Sequence, residues 1–466
     1  EITPIITNRD VASPFLVEVQ ESAVKPIEPV FLDYQKDMSQ LKAKSDIPVL
    51  YKQNVANDLF QLIYVFDMGN NHDKALGTAF DYLEYLGTSD MTPEELKSEF
   101  YRLACTFYVS PGNERTYVVL SGLNENMPAA VQLFEKLLAD AQVNKEAYTN
   151  MTSDILKARS DAKLNQGQNF SRLMSFAMYG PKSPATNLLT EVELTNMNPQ
   201  ELVDRIHNQN SYKHRILYYG PSSSKDLLAT INQYHQVPAT LKDIPAGNEY
   251  AYLETPVTKV LVAPYDAKQI YMAQISNLDK KYDPAIEPIR ALYDEYFGGG
   301  MNSIVFQEMR ETRGLAYSAW ASIMPPSYLK YPYVLRTQIA TQNDKMIDAV
   351  TTFNDIINNM PESEAAFKLA KDGLTNRLRT ERIIKGDIIW SYINAQDLGQ
   401  NVDPRIKLYN DIQNMSLKDI VDFQKQWVKG RTYVYCILGD KKDLELDKLK
   451  AVGPIEELTQ EQIFGY

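Results

Sequence analysis

Apolar residues recur along this chain with two different periods, and the two alternate. The runs from Leu59 to Phe66 and from Gln269 to Ile275 are dense in aliphatic and aromatic residues and predict strands. So do the runs from Ile216 to Gly220 and from Val434 to Gly439. Elsewhere the period is helical. Leu76, Phe80, Leu83 and Leu86 make one apolar stripe, with Asp81, Glu84 and Tyr85 on the opposite side. Strands and amphipathic helices interleave in this way throughout. The pattern predicts an α+β fold, an antiparallel sheet with helices packed on one face.

The pattern also repeats. Asn196 to Asp204 recurs 218 positions later as Asn414 to Asp422, each copy placing Asn or Ser after a Met to cap a helix. Each copy then reaches a β-rich run ending in glycine, at Gly220 and at Gly439, with a polar turn and a short helix expected near Asp226–Leu228 and Asp443–Leu444. Earlier in each half, Glu84 to Gly87 matches Glu295 to Gly298 at an offset of 211. Three matches in one order at nearly one offset predict a duplicated domain. The 466 residues suit two domains of that size. We expect the first at 46–240 and the second at 256–466, across a Pro- and Gly-containing boundary between Val237 and Thr255. Residues 1–45, with Pro26 and Pro29 and no clear period, predict a linker or strap.

Composition narrows the function classes. Sixty acidic residues against 48 basic ones give a net charge of -12, which argues against a nucleic-acid backbone as the main partner. No apolar run is long enough to predict a transmembrane segment. Cys105 and Cys436 are too few and too far apart for a disulfide scaffold, and they leave the redox compartment open. His72, His207, His214 and His235 are never three or four residues apart, so no local histidine-based metal motif is present.

The run from Phe297 through Gly298, Gly299, Gly300, Met301 and Asn302 to Tyr317 and Ser318 carries the most specific signal. Its G-x-G spacing is that of a dinucleotide loop, but it follows a helix-like segment and has Ser303 at the third glycine position, which rejects that reading. The run resembles the signature of the second domain in each half of the pitrilysin, insulin-degrading enzyme and mitochondrial processing peptidase family of zinc peptidases (inverzincins). With the duplication, the resemblance extends over nearly the whole chain. It implies that Arg310 and Tyr317 bind a peptide substrate near the scissile bond. The local sequence suits that role. A helix capped by Asn302 or Ser303, packed through Val305, Met309 and Thr312 and ended by Gly314, puts Arg310 in its last turn and Tyr317 early in the next strand. Guanidinium and phenol donors suit a peptide carbonyl or the oxyanion formed from it.

The same resemblance places the family's H-x-x-E-H zinc motif on Asp81–Tyr85 and its third ligand at Asp154. Two imidazoles are thus replaced by Asp81 and Tyr85, and a phenol is a poor zinc ligand at neutral pH. Glu84 stands at the general-base position without a metal-bound water to act on. Asp81, Glu84 and Asp154 read as solvated helix carboxylates, with a weak hard-cation site as the alternative. The resemblance therefore implies half of a clamshell that has lost zinc and catalytic residues and kept the substrate-binding pair, with zinc in a partner half carrying H-x-x-E-H, fused upstream or on a separate chain. Whether the chain counts as an enzyme then depends on that assembly. A purely structural homologue, and a module that captures peptides without cleaving them, are the alternatives.

Overall fold

The computed structural model describes residues 13–22, 25 and 27–466. Within them, the predicted strands assemble into two sheets of six. The first contains β1 (Ser39–Lys42), β2 (Pro48–Gln53), β3 (Leu59–Phe66), β4 (Cys105–Pro111), β5 (Thr116–Leu123) and β6 (Arg215–Gly220), in the order β1-β2-β6-β3-β5-β4. The second contains β7 (Lys259–Pro264), β8 (Gln269–Lys281), β9 (Ser318–Met324), β10 (Pro332–Gln342), β11 (Val434–Gly439) and β12 (Ile455–Glu457), in the order β12-β7-β11-β8-β10-β9. Five strands of each follow one plan, which is the duplication in three dimensions. Only the outermost strand differs: β1 precedes its sheet and pairs antiparallel with β2, whereas β12 follows its sheet and pairs parallel with β7.

The expectation of antiparallel sheets needs one correction, because both are mixed. β6 lies between β2 and β3, which a short turn joins in opposite directions, so β6 must run parallel to one of them. It is parallel to β2 and antiparallel to β3. In the second sheet β11 repeats this between β7 and β8.

Each sheet packs its own helices on one face. In the first, Leu76, Phe80, Leu83 and Leu86 join Leu62, Tyr64, Phe134, Leu202 and Ile206 in a buried core. In the second, Leu292, Tyr296, Phe297 and Val305 meet Met272, Leu335, Phe353 and Ile420. The capping residues act as expected: Asn198 Oδ1 accepts from Gln200 N at 3.1 Å, and Ser416 forms a capping box with Asp419. The short helix expected near Asp443 forms slightly later, at Leu446–Leu449.

The other face of each sheet is also covered, and by the opposite half. Phe170, Leu173 and Ala177 of helix Gln166–Tyr179 lie on Ala273, Ile275, Cys436 and Leu438 of the second sheet. Reciprocally, Ile388, Ile389 and Ile393 of helix Asp387–Asp397 lie on Ile63, Val65, Val119 and Leu217 of the first. Helices on one face only was therefore too simple. The runs at β3 and β11 are apolar on both sides, the signature of strands buried on both faces. Polar clasps reinforce the exchange. Arg115 forks onto Asp397 with two bonds of 2.6 Å, and Glu114 accepts from Lys330 and Tyr331 at 2.8 and 2.9 Å.

Of the segment expected as a linker, residues 1–12, 23, 24 and 26 lie outside the described residues. The remainder is more structured than its lack of period suggested. It holds helices Pro14–Glu21 and Tyr34–Asp37 and strand β1, and Leu32, Tyr34 and Met38 are buried beside helix Asp387–Asp397. Its apolar residues are spaced to fill gaps against another element, which leaves no period to read.

Candidate functional site

Helix Glu287–Phe297 stops where the N–H groups of Gly298 and Gly299 both donate to the Asp294 carbonyl, at 3.0 and 2.7 Å. A Cβ on Gly298 would fall 2.2 Å from the Ala321 carbonyl oxygen, so glycine is what lets this turn lie flat on β9. The glycine cluster thus serves close packing. Asp294 fastens the same corner, accepting from Ser322 Oγ and Ile323 N of β9 at 2.9 Å each and from Arg290 at 2.8 Å.

Beyond the glycines, Ser303 Oγ accepts from Phe306 N at 3.4 Å and starts helix Ile304–Phe306, which continues as a π-helix over Gln307–Thr312. The wider winding changes which residues face inward. Val305 and Met309 are buried as expected, but Thr312 is exposed, and Leu315 packs instead, its N–H on the Met309 carbonyl at 2.8 Å. Gly314 ends the segment at φ +58°, a left-handed conformation that favours glycine.

This path brings Arg310 and Tyr317 together. The Arg310 guanidinium carbon lies 5.0 Å from the Tyr317 ring centre and 5.1 Å from that of Phe306, a cation stacked on two aromatic faces. Among the described residues no acceptor is hydrogen-bonded to this guanidinium. The Glu311 carboxylate stands 3.6 Å away, and Glu308 is taken by Arg313. Tyr317 is 75% exposed. Phe306 is the partner that sequence reading missed; its only signal was its position four residues before Arg310, one helical turn away.

The residues that the resemblance sets at the zinc positions lie on helices of the first sheet. Asp81, Glu84 and Tyr85 are exposed at the end of helix Leu76–Leu83, and Asp154 is exposed on helix Lys145–Lys163, which packs against it. Crowding by surrounding protein, and then the Glu84 charge, raise the Asp81 pKa. Among the described residues no group of three or more His, Cys, Asp or Glu side chains is arranged to hold a metal. Carboxylates on a solvated helix end beside a phenol do not fit the zinc that the family implies.

Two histidines far apart in sequence do meet. His214 Nδ1 donates to the Tyr212 carbonyl at 2.7 Å, which leaves its Nε2 to accept from His235 Nε2, 2.8 Å away. His235 Nδ1 faces Glu135 Oε1 at 2.6 Å, while Asn210 Nδ2 and Gln236 N donate to Glu135 Oε2. The chain is sealed under Tyr64 and Phe66. Burial, and then His235, pull the His214 pKa down to about 3. A direct nitrogen–nitrogen hydrogen bond and full burial make this a structural tie between elements.

Comparisons with known proteins bear on the family and the fold. Residues 216–374 match the family described as "Peptidase M16 inactive domain", a stretch that includes Arg310 and Tyr317. The non-peptidase homolog YmxG of Helicobacter pylori is 24% identical over 426 residues, 86% of this chain and 93% of that protein. The crystal structure of a peptidase M16 inactive domain from Pseudomonas fluorescens superposes with a TM-score of 0.67 at 15% identity, covering 87% of this chain and 98% of that one. The periplasmic protease PqqL of Escherichia coli gives 0.68 at 12% identity, covering 95% of this chain but 49% of that one, so the chain spans about half of PqqL. Those likenesses establish the fold. By sequence over 216–374 and by architecture over most of its length, the chain resembles the inactive side of the M16 zinc-peptidase family. Among the described residues no helix is long and apolar enough to cross a membrane.

Proposed function

We propose that this chain is the substrate-binding, non-catalytic half of a zinc metalloendopeptidase, closing a chamber with a half that carries H-x-x-E-H and the zinc. The observation that carries the reading is the Arg310 guanidinium, stacked on Phe306 and Tyr317 with no hydrogen-bonded acceptor among the described residues and only a 3.6 Å contact to Glu311. Stacking fixes the orientation of the planar cation and leaves its edge for an acceptor. A peptide carbonyl, or the oxyanion that develops on it, is such an acceptor, and the Tyr317 hydroxyl is a second donor beside it. Unstructured peptides are the substrate class.

Replacing Arg310 with Ala and Tyr317 with Phe in the assembled enzyme is the test. Loss of one oxyanion donor lowers turnover by about 10²–10³. Unchanged turnover would favour the second reading, a purely structural homologue. The similarity to a non-peptidase homologue over most of the chain is what supports that alternative.

A further inference from the structure

Val334 and Arg336 stand two apart on β10 and so share its outer face. Val334 belongs to the apolar cluster under helix Gln166–Tyr179, which packs on β7, β8 and β11. Arg336 lies two residues further along the strand, half-buried, with its guanidinium carbon 5.2 Å from the ring centre of Trp320 on β9. Its Nη2 donates to Gln338 Oε1 at 3.0 Å, and its Nε is enclosed without an acceptor. Burial lowers its pKa, countered only by the Cys436 thiol and by no carboxylate. Arg115, Arg290 and Arg405, by contrast, are each set against carboxylates. A half-buried cation left uncompensated in a chain of net charge -12 is a costly arrangement.

The duplication provides an internal control. Strand pairing puts Arg336 opposite Ile275 and Gln338 opposite Ala273, where the first sheet pairs Tyr117 with Val65 and Val119 with Ile63. Tyr117 packs edge-on against Trp390 at 5.6 Å, and Val119 is buried beneath helix Asp387–Asp397. The scaffold therefore accepts an apolar, sealed surface at these places. The second sheet carries an unpaired guanidinium and an amide instead.

We propose that Arg336, oriented by Trp320 and Gln338, is a carboxylate-binding subsite for the peptide held by this chain. The proposal rests on the peptide-binding reading above and deepens it. Tyr317 immediately precedes β9, the edge strand that carries Trp320, so a peptide paired along this edge presents alternate side chains to the two faces of the sheet, one toward the Arg310–Tyr317 pair and one toward Arg336. An Asp or Glu side chain and a free chain terminus present the same group.

One short unstructured peptide, made with an internal Glu or Gln and with a free or amidated C-terminus, tests this on the full chain by calorimetry. Carboxylate-bearing forms bind about tenfold more tightly than the form lacking both. Dependence on Glu identifies a side-chain ligand, and dependence on the free terminus identifies a chain end. Arg336→Met abolishes the preference without lowering the melting temperature, since the guanidinium loses no ion pair, and Arg336→Lys retains part of the preference. Equal binding of all forms by the wild-type chain overturns the subsite and leaves peptide binding intact. Arg336→Met weakening every form alike, with a lower melting temperature, also overturns it. Binding of no form removes the peptide reading together with the subsite.

Discussion

Arg310 and His214 illustrate how the same residue type gains or loses chemistry with its surroundings. Arg310 is exposed enough to meet a ligand and is stacked between two rings, with only a 3.6 Å contact to the Glu311 carboxylate. His214 is sealed and held neutral. Its depressed pKa has a definite sign in stability. The unfolded histidine gains a proton near pH 6.5 while the folded one does so near pH 3, so its contribution is full above pH 6.5 and is lost as pH falls through that window. Stability should fall by about 1.4 kcal/mol per pH unit from this group there, and His214→Phe should flatten the slope in urea titrations at successive pH values. Asp294 has the opposite sign. Burial raises its pKa to about 6, so its contribution is full below about pH 4 and declines as pH rises through 6. Asp294→Asn should therefore lose ground to the wild-type protein most clearly in acid.

At the scale of elements, the segment from Ser303 to Gly314 decides where Arg310 points. Gly314→Ala meets no neighbouring atom, so its cost is conformational alone, about 1–2 kcal/mol for a left-handed alanine. Peptide affinity should drop along with the melting temperature, because relaxing that turn withdraws Arg310 from Tyr317. The sequence placed this helix, its Ser303 cap and its Gly314 stop, because each depends on local backbone chemistry. It did not disclose the π-winding, which arises from how Met309 and Leu315 fit the core. Thr312 consequently faces solvent although a 3.6-residue period put it inside. Helix Leu76–Leu83 was legible for a similar reason. The apolar stripe of helix Leu76–Leu83 fixes its orientation, and with it the exposure of Asp81, Glu84 and Tyr85.

Across the whole molecule, the repeat offsets disclosed the duplication but not the exchange of helices between the two sheets. Leu173 and Ile389 occupy ordinary helical positions, and nothing local states which sheet they cover. Only the two-sided hydrophobicity of β3 and β11 demanded a second cover. The exchange makes each half part of the other's core. Leu173→Ala, at a fully buried contact, should cost about 2–5 kcal/mol, and both halves should still unfold in one calorimetric transition.

The zinc content of the purified, chelator-free chain, read beside its cleavage of an unstructured peptide, decides whether this chain works without a metal of its own. Almost no zinc and no cleavage are expected until a half carrying H-x-x-E-H is supplied. One tightly held zinc per chain, with cleavage that a chelator abolishes, would contradict that expectation and restore Asp81, Glu84 and Asp154 as a working metal site.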